Sequence, residues 1–84
     1  MPHYLLLSRS ITYAQRMCRV LERAGITARY LRPPARLTDR GCGYAVRVSS
    51  KDLEAARRLL REEGLEPKRI FYTDGRGAYR EIYA

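Results

Sequence analysis

The sequence predicts an α+β sandwich, with one antiparallel sheet and two helices packed on one of its faces. Two observations carry this. Segments with helical spacing of apolar residues alternate with segments of strand-like alternation, in the order β-α-β-β-α-β. The two halves also echo each other at an offset of 39 residues, where "VLERAGI" (20–26) aligns with "LLREEGL" (59–65). A helix-then-strand unit used twice in that order is the ferredoxin-like signature, which implies a four-stranded antiparallel sheet. With 84 residues the chain has room for one such domain and a modest core, but not for a deep active-site cleft.

The first strand covers residues 3–8, "HYLLLS". A helix follows, from Ser10 or Thr12 to Ala24. Its apolar face is Ala14, Met17, Cys18 and Leu21, at i, i+3, i+4 and i+7. Thr12 and Gln15 have capping-box spacing, with Ser10 as a rival cap, and Gly25 ends the helix. The second strand, 26–32, alternates Ile26, Ala28 and Tyr30 against Thr27, Arg29 and Leu31. Pro33-Pro34 stops it, because proline cannot continue a ladder.

A loop from Pro33 to Gly43 comes next, long for a domain this small, and such loops are often functional. The third strand is 44–48, with Tyr44, Val46 and Val48 on one face. Residues 49–52 open the second helix, with Ser49 and Asp52 in capping-box spacing. Leu53, Ala56, Leu59 and Leu60 form its apolar stripe and Gly64 ends it. The fourth strand is 69–73. Asp74-Gly75 then signals a hairpin, and residues 78–83 read as a fifth strand. That strand either extends the sheet edge or pairs with a second copy of the chain. The chain thus divides into a domain over 1–73 and a C-terminal hairpin extension over 74–84.

The formal charge is +8, and Lys51 and Lys68 are the only lysines, leaving 15 of 17 basic residues as arginine. Such a charge attracts phosphates. The basic residues are scattered over both helices and every strand but the first, which argues against a dedicated nucleic-acid surface. The early apolar run Leu5-Leu6-Leu7 is too short for a signal peptide, and no run approaches a membrane span. A cytoplasmic protein without membrane contact is expected. Two cysteines without a CxxC pair, and one histidine, exclude a Cys/His metal site of four ligands. No metal or cofactor is expected.

The two cysteines differ. Cys18 lies on the apolar stripe of the first helix and reads as a small core residue. Cys42 stands between Gly41 and Gly43, on a loop that carries Arg36 and Arg40. Cations beside a thiol favour the thiolate, which is the nucleophile. In the expected topology the first and third strands are antiparallel neighbours. The start of the third strand, and Cys42 with it, then lies near Ser8, Arg9 and Ser10. That is the N-terminus of the first helix, whose partial positive charge also favours a thiolate. The flanking glycines leave access for a partner. The alternative is that Gly41 and Gly43 form a bulge or turn, with the cysteine there only for its size.

The chain resembles the small selenium/sulfur (Se/S) carrier protein-like family. The resemblance rests on "LLLSRSITYAQRMCRVLERAGI", the proline-containing linker "LRPPARLTDR", Cys42-Gly43 followed by "YAVRV", and "DLEAARRLLREEGL". It covers residues 3 to 72. It implies that Cys42 holds sulfur or selenium as a persulfide or selenopersulfide, with Gly43 as its small neighbour. It also implies protein partners: a sulfur donor of the cysteine desulfurase kind, and an acceptor. A carrier of this kind is a co-substrate rather than a stand-alone enzyme.

Such chemistry needs one accessible thiolate and no deep pocket. Arg36 and Arg40 are candidates to hold an anionic persulfide or dock an acidic partner, with Arg9 and Ser10 nearby. Two other functions fit the same fold. One is a small basic RNA-binding module, although "YAVRV" offers a single aromatic where such domains carry several. The other is a regulatory or dimerising module that uses residues 74–84 as its interface.

Overall fold

The computed structural model describes residues 2–38 and 43–82. Its elements are β1 (His3–Ser8), α1 (Ile11–Arg23), β2 (Ala28–Leu31), β3 (Tyr44–Ser49), α2 (Leu53–Glu62), β4 (Arg69–Thr73) and β5 (Tyr79–Ile82). Short 3₁₀ turns occupy Ala35–Leu37 and Ser50–Asp52. The strands form one antiparallel sheet of five, in the order β2-β3-β1-β4-β5.

The expected four-stranded sheet is corrected to five. Ile70 pairs with Ile82 and Thr73 with Tyr79, so the tail continues the same ladder. The turn that allows this is closed by side chains: Thr73 Oγ1 accepts from the Gly75 N–H at 3.0 Å, and Asp74 Oδ1 from the Arg76 N–H at 2.8 Å.

Both helices cover one face. Leu6, Val46, Val48 and Ile70 pack there against Ala14, Met17, Cys18 and Leu21 of α1 and Leu53, Ala56 and Leu60 of α2. Of the two rival caps on α1, Ser10 is the one used: its Oγ accepts the Tyr13 N–H at 3.2 Å. Thr12 falls inside the helix. At α2 the expected Ser49 cap does not form. Ser49 is still in β3, paired with His3, so the strand runs one residue further and a 3₁₀ turn leads into the helix.

The internal echo holds down to single hydrogen bonds. Gly25 N–H donates to Glu22 O and Ile26 N–H to Leu21 O, at 3.0 and 2.9 Å. Thirty-nine positions on, Gly64 N–H donates to Arg61 O and Leu65 N–H to Leu60 O, at 3.1 and 2.8 Å. Ile26 and Leu65 are both buried by these endings. Ile26 is thereby taken by the helix end, which shortens β2 from the expected start.

The far face has its own apolar cluster of Leu5, Leu7, Ala45 and Phe71, roofed by Leu37, with Leu31 and Tyr79 at its margin. The first part of the long loop is therefore packed structure. Further along the same face, by strand alternation, come His3, Arg29, Arg47 and Ser49.

Candidate functional site

The register Ser8↔Tyr44 brings the start of β3 to the end of β1, beside the N-terminus of α1. Gly43 makes the junction. Its φ is +110°, and a Cβ there would lie 3.0 Å from the Ser8 carbonyl oxygen. Both the backbone angle and the close approach demand glycine. The Ser8 hydroxyl lies 2.9 Å from Ser10 O and 3.2 Å from Tyr44 O, and can donate to either. One side chain thus ties together the end of β1, the cap of α1 and the start of β3.

A small cleft of about 150 Å³ opens at this junction, between Ser8, Arg9, Thr38, Gly43, Lys68 and Arg69. Of the residues singled out in the sequence, Arg9, Ser10 and Gly43 come together here. Arg40, Gly41 and Cys42 lie outside the described residues. Arg36 turns elsewhere: its guanidinium donates to Gly77 O at 2.7 Å and sits 5.3 Å from the centre of the Tyr79 ring. It fastens the loop to the tail. Arg9 lies over the Tyr13 ring at 4.8 Å, which holds it at the mouth of α1.

Two cations at the cleft were missed from the sequence. Lys68 precedes β4 and its backbone N–H donates to Leu7 O at 2.8 Å. Arg69 is the register partner of Leu7. The signal was available, because β4 flanks β1 on the side opposite β3 and its start also meets the end of β1. Arg69 is a fastener. It gives two N–H groups to the Glu81 carboxylate, at 3.0 and 2.9 Å, and one to Leu37 O at 3.3 Å. The hydrogen bonds from Arg69 hold the Glu81 carboxyl below the ordinary carboxylate range. Arg69 and Arg36 together clamp the loop roof to β5, so the tail braces the segment that leads toward position 42.

Cys18 is buried, at 7% exposure. Burial, with Glu22 adding to it, pushes its thiol up to about 11. It is a core residue and a poor nucleophile near neutral pH. Among the described residues, no group of His, Cys, Asp and Glu is placed to hold a metal ion. No described helix is long and apolar enough to cross a membrane.

The family model described as "Putative Se/S carrier protein-like" matches residues 3–72, ending within β4 and before β5. No curated protein matches the chain closely enough to count as a relative.

Proposed function

The chain belongs to the Se/S carrier protein-like family, and from that premise we propose that it carries sulfur or selenium on the thiol of Cys42. The observation behind the proposal is the junction at Gly43. Cys42 is the residue bonded to Gly43, whose backbone packs on the Ser8 carbonyl beside a cleft lined by Arg9 and Lys68. Those cations, the capped N-terminus of α1 and Arg40 two residues away favour a thiolate. In this reading Gly41 and Gly43 leave the sulfur accessible, and Arg36 acts through the tail rather than on the cargo. The inner strands β2-β3-β1-β4 with the two helices are read as a ferredoxin-like unit, to which β5 is added.

The transfer balances without a metal or an oxidant. The Cys42 thiolate attacks the terminal sulfur of a donor protein's persulfide. A new S–S bond forms on Cys42, the donor's S–S bond breaks, and the donor cysteine leaves as a thiolate. An acceptor nucleophile then takes the outer sulfur and returns the Cys42 thiolate. Selenium follows the same path through an S–Se bond. The RNA-binding alternative is less well supported: Phe71 on the helix-free face is buried beneath the roof and under Arg69, so it offers no ring for a base to stack on.

Intact-mass measurement after incubation with a persulfide donor tests this. Wild type is expected to gain one sulfur atom and Cys42→Ser none. Alkylation gives an independent reading. With the Cys18 thiol near 11 and an ordinary thiol near 8.5, Cys42 should react on the order of 10²-fold faster at neutral pH. Faster labelling of Cys18 would reject the proposal.

A further inference from the structure

We propose that the open end of the far face binds a small tetrahedral oxyanion of the phosphate class. The groove holding it has a volume of about 370 Å³, within the size range of small-ligand sites. His3, Arg29, Arg47 and Ser49 line it, with Gly75 at its rim.

The main observation is that Arg29 and Arg47 are direct cross-strand partners in the β2–β3 ladder. Their Cα atoms are therefore about 5 Å apart. Both project from the same face of the sheet, and both are exposed. Like charges in direct cross-strand register are destabilising. The ion pairs among the described residues join Arg57 to Glu54, Arg61 to Glu66 and Arg69 to Glu81, and none of them reaches this pair. Asp74, in the adjoining turn, directs an oxygen to the Arg76 N–H. An anion between the two guanidinium groups relieves their repulsion. Two planar forks side by side also match the oxygens of a tetrahedral dianion.

The neighbouring row supplies further polar atoms. His3 is the register partner of Ser49, one pleat from Arg47 on the same face. Both side chains are half-buried at the groove. The Ser49 hydroxyl adds a donor that turns freely toward an oxyanion. The groove is separate from the thiol site. His3 and Ser8 are the two ends of β1, roughly 17 Å apart at strand rise. The inference therefore stands or falls independently of Cys42.

The test is a titration of the full-length protein with inorganic phosphate at low, constant ionic strength, followed by backbone amide NMR. Saturable shifts are expected at residues 3, 29, 47 and 49. Arg29→Gln combined with Arg47→Gln should weaken binding at least tenfold. The same charge change at Arg58 and Arg61 on α2 should leave it within twofold. Arg47→Lys keeps the charge, loses the fork, and should fall between. Thermal unfolding guards against a folding artefact. Without phosphate the double variant should melt at or above the wild-type temperature, and phosphate should raise the wild-type temperature alone. Non-saturable shifts, or equal losses in the groove and helix variants, would mean mere charge attraction and overturn the site. So would a single-stranded RNA hexamer without terminal phosphates that shifts these amides when inorganic phosphate does not.

Discussion

Arg69 and Arg47 stand on the same face of the sheet, on the two strands that flank β1. Arg69 is opposite Leu7 and Arg47 opposite Leu5. Arg69 is locked by the Glu81 carboxylate and the Leu37 carbonyl. Arg47 is exposed, with another arginine as its cross-strand neighbour. One residue type does opposite work at two ends of one surface. Where loop and tail bring acceptors, the cation fastens structure. Where β2 brings a second cation, the pair faces solvent and offers itself to an anion. Composition counts the two alike, and only the strand partners distinguish them.

The largest effect that sharpens this contrast is expected from Leu37→Ala. It removes the side chain that roofs Leu5, Leu7, Ala45 and Phe71. A loss of about 2–5 kcal/mol is expected in denaturant unfolding, as for other buried leucines. If stability is unchanged, the fastened end is not a core and the contrast fails. Gly43→Ala comes next. With φ +110° and a contact at 3.0 Å to Ser8 O, it should cost about 1–2 kcal/mol. Gly77→Ala shares the positive φ but meets open space, so it should cost less. Equal costs would show that the approach to Ser8 does not matter.

A smaller effect separates the two ends by pH. The Glu81 carboxyl sits below its ordinary range because of Arg69. Its stabilising contribution is therefore present at neutral pH and is lost as pH falls through the carboxylate range. Glu81→Gln should be slightly less stable than wild type at neutral pH and lose less on acidification. Parallel acid limbs in urea melts would remove the clamp from the account. The smallest effect is expected for Arg36→Ala, whose bond to Gly77 O is exposed. Global stability should barely move, while amide exchange at residues 77–79 should quicken.

Much of the fold was legible in the sequence because it is written in local periodicity. Ala14, Met17, Cys18 and Leu21 fall on the core face that their spacing requires. The repeated helix endings at Gly25 and Gly64 make matching hydrogen bonds. Cap choice was less legible: Ser10 and Thr12 both fit, and Ser10 is used because its Oγ reaches the Tyr13 N–H. The Ser49 cap failed because pairing with His3 kept that residue in β3. Of the candidate site, the nearness of the start of β3 to the end of β1 followed from strand order, while Cys42, for which that nearness was expected, lies outside the described residues. Arg36 was assigned by nearness in sequence, yet its partners are Gly77 and Tyr79, 41 and 43 positions away.

By itself the sequence determined the two helices, their C-terminal endings and the core role of Cys18. These depend on spacing, side-chain volume and backbone angle, all of which are local. The tertiary structure decided which arginines act as fasteners and which face a groove. It also decided that the strand read in the tail extends the sheet edge beside β4 and braces the loop. Those outcomes depend on which strand lies beside which, and a cation's role is set by the acceptor or the second cation that pairing places next to it.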